Sequence, residues 1–394
     1  MRILLLSQFV APVIGGEERH VEALARELAG RGHDVSIATI ALPGEPAAET
    51  WDGVRVHRLR AAAQRLPGVF GDRRRPHAAP VPDPELAARL RRVARAERPD
   101  VVHAHNWIVN SALSLRRLAP LVLTLHDYSH ACATKRLMRD GAPCPGPAPV
   151  RCLRCAGRHH GAAVGTATAL GTRVMRRPRE RAVAAVIAVS EAVRRASRLR
   201  CPAHVIPNFI PDRLLADAGE PPPAAPFLLF AGDLSRDKGL PALLDAYTRL
   251  AGPPPLLLMG RRVAGTPDRL PPGVTLLADQ PHDRVVRAMR TCMVALAPSV
   301  WPDPCPTVVL EAMAAGRALV TTPAGGIPDL VGEDGALLVP PGDPAALAGA
   351  LRRLLGDEAL RRRLGGAARR RAAAFTAGRV VPRIEAVYRE VLRA

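Results

Sequence analysis

Asp303 and Glu311 stand eight positions apart in the stretch Trp301-Pro302-Asp303-Pro304-Cys305-Pro306-Thr307-Val308-Val309-Leu310-Glu311-Ala312-Met313-Ala314-Ala315-Gly316. The segment reads as a loop running into a helix, with Glu311 at the apparent helix opening. A carboxylate can accept two hydrogen bonds from a ribose diol, which suits Glu311. Asp303 suits the hydroxyls of a sugar. Free N–H groups at a helix start can hold phosphate oxygens. The plain alternative for Glu311 is a carboxylate that only caps its helix.

Three other segments carry polar chemistry at the ends of apolar runs. Ala231-Gly232-Asp233-Leu234-Ser235-Arg236-Asp237-Lys238-Gly239-Leu240 places two cations in a strand-to-helix loop. Lys238 is one of only two lysines, with Lys135, in an arginine-dominated chain. A compact ammonium suits a point contact to phosphate, and surface charge is the alternative. The loop lacks the spacing of a P-loop. Gly15-Gly16-Glu17 follows the first apolar run and opens a helix, so it reads either as an anion contact or as a turn. It is not a Gly-x-Gly-x-x-Gly fingerprint. His126-Asp127 closes the run Leu121 to Leu125. There a histidine could bond a substrate hydroxyl, whereas His103 and His105 read as structural contacts in the same loop layer.

These loops need strands behind them. Ile3 to Leu6, Val35 to Thr39, Val101 to His103, Leu121 to Leu125 and Val186 to Val189 are short apolar runs. Val21, Leu24, Ala25 and Leu28 share one helix face. Such alternation predicts parallel sheets flanked by helices, with ligands at the carboxyl ends of the strands. After the proline cluster Pro221 to Pro226 the pattern restarts. Its runs are Phe227 to Phe230, Leu256 to Met259, Val274 to Leu277, Val294 to Ala297 and Ala318 to Thr321. The expected organisation is an α/β domain over residues 1–208, a hinge over 209–225, and a second α/β domain over 226–375. Residues 376–394 form a terminal segment whose helix, Val381 to Leu392, has Pro382 in its first turn and returns to the first domain. Arg361 to Arg371 reads as a solvated helix face.

The chain has 394 residues, 48% of them apolar, with no run long enough to span a bilayer. The net charge of +20 comes almost wholly from arginine. It reads as a basic surface, or as attraction to anionic lipid headgroups. No nucleic-acid module interleaves basic with aromatic residues, so nucleic acid is not an expected partner. Seven cysteines and no evident signal peptide point to a reducing cytoplasm. Cys132, Cys144, Cys152 and Cys155 cluster in a Gly- and Pro-rich insertion over about 130–160. The Cys152-x2-Cys155 spacing suggests a structural zinc with four cysteine ligands. No Asp-x-Asp motif suggests a catalytic metal.

Taken in order, these motifs resemble glycosyltransferase family 4, retaining nucleotide-sugar enzymes of GT-B fold. The resemblance also uses Gly32-His33-Asp34-Val35, Asp100 to His105, Val189-Ser190-Glu191, Ile206-Pro207-Asn208 and Gly325-Gly326. It implies two Rossmann-like domains facing each other across a cleft. It also implies transfer of a sugar from a nucleoside diphosphate to a hydroxyl of a glycan or lipid-linked acceptor, with retention. By resemblance, Arg236 and Lys238 neutralise the diphosphate beside Gly232, and Glu311 holds the donor ribose. Asp303 and the loop through Thr307 and Val308 meet the sugar and phosphates. Gly15 and Gly16 belong to the donor site, where Gly16 backs the diphosphate or the sugar from the first domain, and His126 contacts the sugar near the reacting carbon. Three departures stand out. Asp303 is shorter than the usual glutamate, Gly232-Asp233 replaces a frequent Gly-Arg, and Asn208-Phe209 replaces a frequent Asn-Gly. The rival readings are a nucleotide-sugar binding protein without catalysis and a sugar-nucleotide epimerase of the same fold.

Overall fold

The computed structural model describes residues 1–13, 15–65, 77–216 and 226–394. The backbone separates into two units, Met1–Pro207 with Val380–Ala394, and Asn208–Arg379. Of the hinge expected over 209–225, residues 217–225 lie outside the described residues, and with them all of the proline cluster but Pro226.

The first unit holds an eight-stranded sheet. Its strands are β1 (Arg2–Leu6), β2 (Asp34–Ile40), β3 (Ala48–Trp51), β4 (Val54–Leu59), β5 (Val101–His105), β6 (Leu121–Leu125), β9 (Ala185–Ala188) and β10 (Ala203–Val205). A separate hairpin pairs β7 (Met138–Arg139) with β8 (Ala142–Pro143). The spatial order is β10-β9-β6-β5-β1-β2-β4-β3, parallel except for β3. β5, β6 and β9 are buried along their whole length, which is why β9 is wholly apolar and β6 and β5 are interrupted only by Thr124 and by His103 and His105. β3 and β4 were not foreseen. Asp52 and Gly53, both at positive φ, make the two-residue turn that joins them. The helix Gly16–Gly30 buries Val21, Leu24, Ala25 and Leu28, the face its spacing predicts.

The C-terminal helix runs Ala377–Arg393, so it begins before Val381 and Pro382 lies inside it rather than in its first turn. The early start has a local cause. The Asp212 carboxylate accepts from Gly378 N–H at 3.0 and 3.2 Å, satisfying a first-turn donor. From Val380 onward the helix belongs to the first unit and buries Val380, Val381, Ile384, Val387 and Tyr388.

Glu385 on this helix accepts from Arg31 Nε at 2.8 Å and lies 2.9 Å from His33 Nε2. Burial pushes its carboxyl up, but the hydrogen bonds and charges of Arg31 and His33 outweigh that and bring it down to about 2. A depressed carboxylate stabilises the fold above its unfolded value near 4.5, and that contribution is lost as pH falls through 2. At pH 7 it amounts to about 3 kcal/mol. Glu385→Gln is therefore expected to lower the thermal midpoint at pH 7. Scans at several pH values should show its gap to wild type closing as pH falls from about 5 to 2.

The second unit holds a six-stranded parallel sheet. Its strands are β11 (Leu228–Ala231), β12 (Leu256–Gly260), β13 (Val274–Ala278), β14 (Val294–Ala297), β15 (Ala318–Thr321) and β16 (Leu337–Leu338). Their order is β13-β12-β11-β14-β15-β16. Leu228, Phe230, Leu258, Leu296 and Val320 join Leu243, Leu347, Leu351 and Leu364 of the flanking helices in one core. The arginine-rich stretch lies on the helix Glu358–Ala372 and is more than a solvated face. Arg361 donates to the Leu355 carbonyl at 3.1 Å, Arg369 to Leu215 at 3.0 Å and Arg371 to Asp329 at 2.9 Å. These bonds satisfy carbonyls that helix ends leave open.

Candidate functional site

In the second sheet the strand order reverses between β11 and β14, where the crevice outside the carboxyl ends takes ligands in open α/β sheets. Lys238 stands on the loop after β11, and Asp303 and Glu311 follow β14. Backbone bonds sew these loops together. The Asp237 carbonyl accepts from Val300 N–H at 2.8 Å and Trp301 N–H at 3.2 Å. The Lys238 ammonium forms an ion pair with Asp303 and lies 5.4 Å from the centre of the Trp301 ring. The Ser299 hydroxyl donates to the same Asp303 oxygen at 3.4 Å. Asp303 is buried, with 4% of its surface exposed, so its charge depends on these partners.

Two glycines make the close approach possible. Gly239 has φ +82°, and a Cβ there would lie 1.9 Å from the Pro298 carbonyl oxygen. Gly325 has φ +65°, and its Cβ would lie 2.2 Å from the Asp303 carbonyl oxygen. Gly326 N–H donates to that oxygen at 2.8 Å, which ties the loop after β15 to Asp303.

The helix of this segment is Thr307–Ala314, with Pro306 at its N-cap. Glu311 therefore lies in the second turn, not at the helix opening. A proline suits the edge of a helix because it brings no N–H, and here it moves the start four residues forward. The first turn is left to the half-buried Thr307 and Val308, whose N–H groups have no intrahelical acceptor. Glu311 Oε1 lies 2.8 Å from His282 Nε2. His282 opens the helix His282–Thr291 and escaped the sequence reading, since no spacing rule links residues so far apart.

Gly232 has φ +135° and donates its N–H to Met259 at 3.0 Å, and Arg236 is exposed on the same loop. Asp233, where a cation is common, accepts from Arg261 at 2.9 Å, so a cation stands beside it after all. Asn208 donates its side-chain N–H to the Cys305 carbonyl at 2.9 Å and its backbone N–H to Cys305 Sγ at 3.3 Å. The Asn208-Phe209 turn is thus tied to the loop that carries Asp303.

The first sheet reverses its order between β1 and β5. Gly15, extended at φ −167°, is the N-cap of the helix that starts at Gly16. Glu17 Oε2 accepts from Asn106 Nδ2 at 2.7 Å, and Asp127 Oδ2 is 3.3 Å from the same nitrogen. Burial, then the charges of Glu18 and Asp127, raise the Glu17 carboxyl to about 8 against Lys135 and Asn106. Most of it is protonated at pH 7, which removes one negative charge from the first turn of the helix Gly16–Gly30.

Asn106 Oδ1 accepts from His126 N–H at 2.9 Å, and His126 Nε2 lies 2.8 Å from His105 Nδ1. His20 packs edge-on against His126, with ring centres 4.9 Å apart. His103 is held by Tyr388 at 2.7 Å and by Thr124 at 2.7 Å. Burial pushes His20 to about 4, His103 to about 3 and His105 well below its ordinary value, so these rings are neutral at pH 7. His103 and His105 are internal, as the structural reading had it.

The insertion folds into the β7–β8 hairpin and the helix Pro149–His160. Its four cysteines turn to separate neighbours. Cys132 lies 3.3 Å from the Thr134 hydroxyl, Cys144 donates to the Gly146 carbonyl at 3.5 Å, Cys152 accepts from Ala148 N–H at 3.3 Å, and Cys155 donates to the Met138 carbonyl at 3.8 Å. Among the described residues, no three His, Cys, Asp or Glu side chains stand together ready to hold a metal ion. Cys132, Cys144, Cys152 and Cys155 are therefore not assembled as a ligand shell.

Two Rossmann-like units, each with a polar cluster at the switch point of a parallel sheet, define the GT-B class. Solved structures share the fold. A sucrose-phosphate synthase from Thermosynechococcus elongatus aligns with TM-score 0.76 and 21% identity over 99% of each chain. Anabaena HepE, solved in complex with UDP and glucose, aligns with TM-score 0.69 and 19% identity over 99% of this chain and 100% of its own. The family model for Glycosyltransferase Family 4 matches residues 14–214, and that for Glycosyl transferases group 1 matches residues 225–357. The chain belongs to Glycosyltransferase Family 4 and is a nucleotide-sugar glycosyltransferase. It is 29% identical to a glycogen synthase of Mycobacterium tuberculosis over 91% of this chain and 87% of the relative. It is also 29% identical to a D-inositol 3-phosphate glycosyltransferase of Kineococcus radiotolerans, over 100% and 96%.

Proposed function

We propose that the second unit binds the nucleoside diphosphate of the donor at its switch point and that the enzyme transfers the sugar to a hydroxyl with retention. The observation that carries this reading is the Lys238–Asp303 ion pair on loops tied by backbone bonds after β11 and β14, with Glu311 on the helix that follows Asp303. Glu311 accepts the ribose hydroxyls. The Thr307 and Val308 N–H groups and Lys238, with Arg236 and Gly232 on the same loop, hold the diphosphate. Asp303 orients sugar hydroxyls. In the first unit, Gly15 and Gly16 offer a helix start to the anion, and His126 bonds a sugar hydroxyl.

In the reaction the bond between the anomeric carbon and the phosphate oxygen breaks, and its electron pair leaves with the diphosphate. The acceptor oxygen bonds the same carbon and gives its proton to a departing phosphate oxygen. Lys238 and the helix N–H groups are fixed before charge develops, which makes them effective on the departing dianion without a metal. UDP is the first nucleotide to try, since HepE was solved with it. The names of the glycogen synthase and D-inositol 3-phosphate glycosyltransferase relatives make glycogen and D-inositol 3-phosphate the acceptors to try. The test is release of nucleoside diphosphate from UDP-, GDP- and ADP-sugars with these acceptors. Acceptor-dependent release that Glu311→Ala loses supports the reading. Conversion of the donor sugar without any acceptor favours an epimerase.

The four cysteines remain our candidate zinc ligands in the cytoplasm. Four thiolates are good zinc chemistry. Burial first, then the neighbouring Cys132, Cys144 and Cys152, raises the Cys155 thiol, which places Cys155 near the other three. Protein purified without added zinc is expected to carry about one zinc per chain, and less than about 0.2 removes the proposal. The charge of +20 supports docking on the anionic inner face of the cell membrane. No described helix is long and apolar enough to cross a membrane.

A further inference from the structure

We propose that His282 is a positioning residue of the donor site: it fixes the Glu311 carboxylate, and the fixed carboxylate makes the site prefer ribose over deoxyribose in the nucleoside diphosphate. This rests on the ribose role given to Glu311 above. Glu311 Oε1 lies 2.8 Å from His282 Nε2. A carboxylate oxygen only accepts, so the imidazole donates from Nε2. The Glu311 side chain is 10% exposed and that of His282 33%. Among the described residues, no other side chain bonds the Glu311 carboxylate. A carboxylate has room for about four hydrogen bonds. One goes to His282, and the rest stay open to the two hydroxyls of a ribose. Without the imidazole the carboxylate would turn about its last torsion, which is broad and soft in glutamate. A diol needs two acceptor sites at once. An unfixed carboxylate therefore loses more on ribose than on deoxyribose, which offers one hydroxyl.

His282 is itself held by its loop. It follows β13 and takes the first position of the helix His282–Thr291, after Pro281 at the N-cap. Asp279, at φ +48°, donates its N–H to the carbonyl of Gly260, the last residue of β12, at 3.2 Å. A non-glycine residue at positive φ is costly and persists where its surroundings enforce it. The Gln280 side chain donates to the Ala278 carbonyl at 2.8 Å and accepts from Arg284 at 2.7 Å. Gly260 in turn lies against the loop of Lys238, since a Cβ on it would meet the Gly232 carbonyl oxygen at 1.7 Å. The imidazole thus stands on the same set of strand-end loops as Lys238. Its position is set before a nucleotide arrives, which lowers the ordering cost of binding.

The test measures dissociation constants of UDP, GDP and ADP, and of dUDP, dGDP and dADP, on full-length protein. Wild type is expected to bind the ribose form of its nucleotide about 10- to 100-fold more tightly, the range for a hydrogen bond to a charged group. His282→Ala should cut that preference to about 3-fold or less while binding the deoxyribose form as wild type does. His282→Gln, whose amide N–H reaches the Nε2 position, should restore most of the preference. His282→Phe keeps a ring without the donor and should match the alanine variant, which serves should that variant fail to fold. A preference unchanged without the imidazole, or ribose and deoxyribose forms weakened alike, overturns the inference. A wild type that binds neither form or shows no preference, or a preference that survives Glu311→Ala, defeats the ribose role of Glu311 and the inference with it.

Discussion

Lys238→Met is expected to lower kcat by about 10²- to 10³-fold, the loss typical of one preorganised donor to developing charge. The reason lies in how the ammonium is held. In the free protein it pairs with Asp303 and stands near the Trp301 ring, so its position is set before a diphosphate arrives. A fixed cation needs no reorganisation when the leaving group takes up charge. The same substitution strands the buried Asp303 carboxylate, so the thermal midpoint should also fall. The double variant Lys238→Met/Asp303→Asn separates the two effects. It should recover much of the stability and none of the rate. Steady-state kinetics and melting curves on wild type and the two variants check this. Recovery of the rate would show that the ammonium serves only to neutralise Asp303.

Gly325→Ala is expected to cost about 2–5 kcal/mol and to abolish nucleotide binding, although residue 325 need touch no ligand. Its φ of +65° strains any side chain, at about 1–2 kcal/mol. The new Cβ also meets backbone, with the Asp303 carbonyl oxygen at 2.2 Å and the Pro302 carbonyl carbon at 2.4 Å. Backbone cannot swing aside as a side chain does, so the loop that carries Asp303 must move. Gly53→Ala is the control. It has a similar positive φ, of +83°, but open space around the Cβ, so it should lose only the strain energy and bind nucleotide normally. Equal losses in the two variants would mean that the contact with Asp303 does not matter.

The strands beneath the site were legible because both faces of a parallel sheet are buried, and Val101 to His103 or Val294 to Ala297 can be little else. The edge strands were less so. β3, Ala48-Glu49-Thr50-Trp51, has neither an apolar run nor alternation, β4 alternates only over Val54 to His57, and the Asp52-Gly53 turn between them is the clearer signal. Candidate residues were found where strand, loop and helix start coincide, as at Lys238 and Asp303. The partners that tune them were not. His282 meets Glu311 from another helix, Arg261 meets Asp233 from another loop, and Tyr388 reaches His103 from the far end of the chain. Such contacts are made by the fold and leave no local pattern. The Glu311 helix starts at Thr307 rather than at Glu311, with Pro306 at its N-cap, and a proline leaves that boundary harder to read than a Ser, Thr, Asp or Asn cap would.

The central claim is that the switch point of the second sheet binds a nucleoside diphosphate. A thermal-shift panel with UDP, GDP, ADP and dTDP, run on wild type and Glu311→Ala, addresses it most directly. At about 100 times its dissociation constant a ligand stabilises by about 2.7 kcal/mol. The account predicts that one of these nucleotides raises the wild-type midpoint by several degrees and leaves that of the variant unchanged. A wild type that melts cooperatively but shifts with none of them, or a variant that shifts as far as wild type, would contradict it.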